Sequence, residues 1–134
     1  MRRVAVDRTL DTDAATVRSR MADVGPFMRA AGFDEVTHEG TDLHLANEVG
    51  PVRIELTLEL LDDADAELAY RQREGIFEEM ITRYYVTETE GGTRVEAETE
   101  FELDVAVVGS FLDATVISAQ RRRELTAQLD FLAE

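Results

Sequence analysis

The chain has no cysteine, no tryptophan and no lysine, so all 14 of its basic residues are arginine. Without cysteine there is neither a disulfide framework nor thiol chemistry. No apolar run approaches the ~20 residues that a membrane-spanning helix requires. The opening Met1-Arg2-Arg3-Val4-Ala5-Val6-Asp7 contains no apolar stretch of signal-peptide length. These absences lead to the expectation of a soluble, cytoplasmic protein with no stable membrane insertion. The P-loop, G-x-G-x-x-G, G-x-S-x-G and H-E-x-x-H signatures are missing as well. Nothing in the spacing calls for a cofactor or a metal, and no residue pair identifies itself as catalytic.

What is present is acid. Asp and Glu number 29 against the 14 arginines, a net charge of -15. Nucleic-acid binders carry basic patches, and anionic membrane surfaces attract basic segments, so this balance argues against both partners. At 134 residues the chain is of single-domain size, and the expectation is one domain over residues 1–134. No repeat, linker or low-complexity segment divides it.

The order of elements is the most informative positive feature. A strand over about Arg3 to Leu10 places Val4, Val6 and Leu10 on one face. Asp11-Thr12-Asp13 supplies capping side chains for a helix from Ala14 to Asp23. Gly25-Pro26 opens a second short helix, Phe27 to Ala31, which Gly32 ends. Six strands follow, and side-chain parity pairs them. Val36 and His38 face Leu45 and Leu43 across Gly40-Thr41. Leu43 and Leu45 then face Leu56 and Ile54 across Gly50-Pro51. Leu58 and Leu60 face Tyr70 and Leu68. Tyr70 and Gln72 face Thr82 and Met80. Met80, Thr82, Tyr84 and Val86 face Leu103, Phe101, Thr99 and Ala97 across Gly91-Gly92, a strong hairpin signal. In this register Arg83 stands opposite Glu100. The last strand alternates Val95, Ala97, Thr99, Phe101, Leu103 and Val105 with an acidic ladder of Glu96, Glu98, Glu100, Glu102 and Asp104, which reads as a solvated face rather than a metal site. A long helix from about Val107 to Ala133 closes the chain, with a stripe of Phe111, Thr115, Ser118, Arg122, Leu125, Leu129 and Leu132.

This strand–helix–helix–six-strand–helix order resembles the START-like, or SRPBCC, superfamily, which includes Bet v 1-type allergens, polyketide cyclases and dehydrases, and lipid-transfer domains. The resemblance spans essentially the whole chain. It also rests on two phrases, Leu10-Asp11-Thr12-Asp13-Ala14-Ala15-Thr16-Val17 and Tyr84-Tyr85-Val86-Thr87-Glu88-Thr89-Glu90-Gly91-Gly92-Thr93-Arg94-Val95. The aromatic residues common in the family's second helix are reduced here to Phe27. The resemblance implies an α+β helix-grip fold: a curved seven-stranded antiparallel sheet around a long C-terminal helix, with a cavity between them.

If the inward sheet face lines such a cavity, Tyr70, Gln72, Thr82, Tyr84 and Thr99 form a polar band among leucines and Phe101. An apolar pocket with a few convergent polar groups suits a small ligand. The ordinary alternative makes both tyrosines core residues with bonded hydroxyls. From the helix, Phe111, Thr115, Ser118 and Arg122 would join the lining. Arg122 either meets a ligand or acid there or extends to the helix edge. His38 shares parity with Val36 and is expected to face inward, as a general base or as a satisfied structural residue. His44 is expected to face out, so the two do not form a metal site. Three functions stay open: carriage of a small hydrophobic molecule (a lipid, isoprenoid, quinone or polyketide-like compound), a cyclase- or dehydrase-like enzyme, and a co-chaperone-like interaction domain. Monomer and homodimer are both compatible with the sequence.

The acid-rich, lysine-free composition resembles that of haloarchaeal proteins that live in molar salt; the ordinary alternative is an acidic cytosolic protein from a GC-rich genome. At molar salt the Debye length falls to ~3 Å, which screens the self-repulsion of so many carboxylates. The melting temperature should therefore climb strongly from low to molar salt. A thermal melt that is flat across that range would remove the halophile reading.

Overall fold

A computed structural model describes residues 1–104 and 113–134. Strand β1 spans Arg2–Leu10, helices α1 and α2 span Ala14–Ala22 and Val24–Arg29, and β2 to β7 span Glu35–Glu39, Asp42–Val49, Val52–Leu61, Leu68–Glu74, Phe77–Thr89 and Gly92–Leu103. Helix α3 spans Ala114–Leu132. The strands form one seven-stranded sheet in the order β1-β7-β6-β5-β4-β3-β2. Every neighbouring pair is antiparallel. The expected α+β helix-grip architecture is what the chain adopts.

Local chemistry explains the element boundaries. Asp13 accepts from the Thr16 backbone N–H and from the Thr16 hydroxyl, so α1 begins at Ala14 as the capping rule requires. Asp113 does the same for α3, in extended conformation, accepting from Val116 N at 2.9 Å. That cap corrects the expectation of a helix running unbroken through this point. The expected segment 107–112, with Phe111, lies outside the described residues. Helix α2 begins at Val24, ahead of Gly25-Pro26, because proline is tolerated in a first turn where its missing N–H costs nothing.

The sheet keeps the expected faces but shifts three of the expected registers. Leu43 and Leu45 pair with Leu58 and Leu56, Leu58 and Leu60 with Gln72 and Tyr70, and Thr82 and Tyr84 with Thr99 and Ala97. Each is two residues from the expected partner, so no side chain changes face. At β3–β4 and β6–β7 turn geometry sets the difference. Gly50 (φ +60°) and Gly91 (φ +86°) take the left-handed positions that two-residue hairpins need. The β6–β7 turn is thus Glu90-Gly91, and Gly92 already pairs with Thr89. Arg83 accordingly stands opposite Glu98 rather than Glu100, and its Nε donates to Asp63 at 3.1 Å.

On the concave face, β7 contributes Thr93, Val95, Ala97, Thr99 and Phe101, all buried. Helix α3 lies against β1 and β7 and touches α1 and α2. Arg122 donates to Ala5 O and Arg8 pairs with Asp130, tying the helix to β1. Arg20 of α1 donates to Leu132 O at 3.0 Å, satisfying a carbonyl at the end of α3. At the far edge β2 is short and largely exposed.

Gly92 has a steric role. A Cβ there would stand 2.1 Å from Leu10 O, a backbone atom that cannot swing aside. Gly92→Ala should destabilise the fold by about 2 kcal/mol or more, whereas a surface change with no such clash stays within about 0.5 kcal/mol. Urea unfolding of the two would measure this, with Glu90→Gln as the control; equal midpoints would refute the steric role.

Candidate functional site

The sheet and α3 enclose a cavity of about 30 Å³. Its walls are apolar side chains from β3 to β6, including Leu45, Ile54, Leu58, Phe77 and Met80, faced by Ile117 of α3. Phe33, Leu56 and Gln120 are only half-buried and form the rim. One end is polar, where Asn47, Tyr70, Arg121 and Glu124 meet.

Arg121 and Glu124 are buried charges, with side chains 7% and 5% exposed. They stand one turn apart on α3, and Arg121 Nη1 donates to Glu124 Oε1 at 2.6 Å. Glu124 Oε2 accepts from Gln120 Nε2 at 3.1 Å and more loosely from Asn47 Nδ2 at 3.5 Å. Arg121 Nη2 donates to Thr82 Oγ1 at 3.1 Å, and the Thr82 and Thr99 hydroxyls are 2.9 Å apart. Burial works against the guanidinium's charge, but the neighbouring oxygens of Tyr70, Glu124 and Tyr84 outweigh it and raise the Arg121 pKa further. Arg121 Nε is a buried donor with no partner among the described residues. A buried charge is tolerable only with such compensation, and an orphaned donor retains its desolvation cost.

Behind this pair runs a second polar chain. Tyr70 and Tyr84 hydroxyls are 3.1 Å apart, and Tyr84 donates to Gln128 Oε1 at 2.6 Å. Gln128 Nε2 donates to Phe27 O at 3.3 Å. Phe27 covers Tyr84 edge-on, with ring centroids 5.1 Å apart. Burial, with the Tyr70 hydroxyl beside it, holds the Tyr84 phenol well above its ordinary value, so it stays neutral.

Of the residues that the sequence put forward, Tyr70 lines the cavity. Tyr84, Thr82 and Thr99 are fully buried and support the polar end from behind. Phe101 is buried against Phe77, centroids 5.2 Å apart. Gln72 turns away from the cavity. Its amide donates to Phe77 O at 2.6 Å and accepts from Phe77 N at 3.0 Å, closing the β5–β6 turn. His38 corrects the inward expectation. It is exposed on the edge strand, its Nε2 2.9 Å from Gly40 O. His44 is exposed, as parity required. On α3, Thr115 and Arg122 are exposed and Ser118 is half-buried. Leu125, Leu129 and Leu132 of the expected stripe are buried, and the rest of the buried face is Ile117, Arg121, Glu124 and Gln128. Sequence reasoning missed Arg121, Glu124 and Gln128 because charged residues are rarely buried unless paired. The signal available was their helical spacing, which continues Ile117 and leads into Leu132.

The pair makes a sharp prediction. Arg121→Ala leaves Glu124 buried without its cation and should cost about 3–5 kcal/mol, while Arg121→Met combined with Glu124→Leu should cost far less or nothing. Denaturant unfolding of both variants tests this; equal losses would show that packing, not charge pairing, dominates.

No protein-family model matches the chain, and no curated protein matches it either. Solved structures do. The Zhui aromatase/cyclase from Streptomyces sp. R1128 superposes with a TM-score of 0.80 at 21% identity, over 98% of this chain and 91% of that one. A START superfamily protein from Mycobacterium smegmatis gives 0.76 at 11% identity, over 98% and 94%. The ginseng major latex-like protein 151 from Panax ginseng gives 0.64 at 10%, over 99% and 98%. At such identities the likeness is one of architecture: the chain shares the helix-grip fold of these structures.

Proposed function

We propose that this chain holds a small, mainly apolar molecule between the sheet and α3. The observation that carries the reading is the cavity itself, apolar along its walls and lined at one end by the polar side chains of Asn47, Tyr70, Arg121 and Glu124. Sites for small molecules combine these features. The likeness to a START superfamily protein and to an aromatase/cyclase supports it.

A volume of about 30 Å³ is room for roughly two water molecules. Ligand entry in this reading therefore displaces wall side chains, beginning at the half-buried rim of Phe33 and Leu56. Met80, unbranched and adaptable, is suited to make way deeper in. The buried cluster of Tyr70, Arg121 and Glu124 favours a second reading, an enzyme of the cyclase or dehydrase kind, in which the same groups act on the bound molecule. An interaction domain has less support. Among the described residues, the large apolar side chains that stand exposed are Met1 and Val116, which are scattered rather than a patch. The acidic, lysine-free composition suits a salt-rich cytoplasm, where we propose that the chain works.

Native mass spectrometry tests the reading directly, on protein isolated at high salt from its own host and exchanged into volatile salt. A retained mass of a few hundred daltons is the expected result and supplies the ligand's formula. An apo mass that persists after lipids and quinones are offered would remove carriage and enzyme together, and shift the weight to a protein partner.

A further inference from the structure

The charges that line the cavity cancel. Among the described residues of its lining, Arg121 and Glu124 carry the formal charges. The other polar side chains there, Asn47, Gln120 and Tyr70, are two amides and a phenol. Arg121 and Glu124 meet at 2.6 Å, three residues apart on one face of α3. The cancellation is therefore built into one turn of helix and needs no charge from the sheet. The half-buried rim of Phe33, Leu56 and Gln120 adds none either.

A pocket that takes a carboxylate must offer it a cation that has no internal partner. Here the cation is already paired. A ligand carboxylate would lose its hydration and meet Glu124 as well as Arg121, so the attraction of one is offset by the repulsion of the other. The same argument holds with the signs exchanged for a protonated amine or amidine. A polar group without charge escapes the cost of burying an ion, and amides and a phenol can hydrogen-bond it as donors or as acceptors.

Resting on the cavity as a ligand site, we propose that it selects its occupant by charge, taking an apolar molecule whose polar part is neutral and excluding carboxylates and protonated amines of the same shape. The Arg121–Glu124 pair sets this preference as a closed ion pair, not as an anchor for a ligand's charge.

Three probes of nearly one shape separate the cases: 2-naphthamide is neutral, 2-naphthoate an anion and 2-naphthamidine a cation. Their own fluorescence can be followed in a chain without tryptophan. Molar salt screens the long-range field of the net charge of -15 and acts much less on the buried pair. Competition against naphthamide restricts the reading to one shared site. The wild-type protein should bind naphthamide tighter than either ion by about tenfold or more, since burying an uncompensated ion costs at least that factor. Glu124→Gln leaves Arg121 unbalanced and should move naphthoate ahead of naphthamide. Arg121→Gln leaves Glu124 unbalanced and should move naphthamidine ahead. Arg121→Met combined with Glu124→Leu restores zero charge and should keep the wild-type order, so it and the wild type carry the test if the single variants do not fold. An ion bound as tightly as naphthamide by either of these two proteins would overturn selection by charge while leaving the cavity reading standing. A folded Glu124→Gln that keeps the wild-type order would overturn it too. Failure of all three probes to bind would overturn the cavity reading itself, and this inference with it.

Discussion

The interior depends on a pair of opposite charges almost wholly removed from solvent. Arg121 and Glu124 sit on the inner face of α3, and neither is tolerable there without the other. Their compensation fixes much else. Thr82 on β6, Asn47 on β3 and Gln120 on α3 turn toward the pair because each closes one of its remaining valences. Helix and sheet are thereby held in one rotational setting, which apolar packing alone would specify less sharply. Hydrophobic contacts tolerate sliding, whereas a bonded guanidinium does not.

The two polar chains divide the work. The one through Arg121 joins α3 to β3 and β6. The one through Tyr84 and Gln128 joins α3 to the sheet and, at Phe27 O, to α2. Both end on backbone carbonyls, at Ile81 and Phe27, so each has a sink for its last proton.

Much of the fold was legible in the sequence because strands alternate. Parity assigned the inward residues of β3, β6 and β7; Tyr84, Thr99 and Phe101 are fully buried, while Val86 and Leu103 toward the strand ends are half-buried. Parity fixes a register only to within an even number of residues, however, so β3–β4, β4–β5 and β6–β7 each lay two residues from expectation. For β3–β4 and β6–β7 the missing information is in backbone conformation at Gly50 and Gly91, which pattern alone does not report. The site was less legible. On α3 the sequence offers Arg121, Arg122 and Arg123 in succession, and which of them points inward depends on helix rotation. The apolar stripe containing Arg122 was the natural choice, but a buried partner three residues on favours Arg121 instead. His38 shared the right parity, yet it stands on an edge strand with too little above it to bury a ring.

That edge strand has a consequence of its own. β2 leaves one side without a neighbouring strand in the sheet order, the kind of border onto which another chain's strand can add. Its five residues begin with Glu35 and end with Glu39, and leave little length to template such an addition. The charge part of that defence weakens where ions are concentrated, since counterions mask carboxylates. Brevity does not weaken with salt. The border is thus guarded by geometry, and lengthening β2 by a few apolar residues would turn it into a template for another chain's strand.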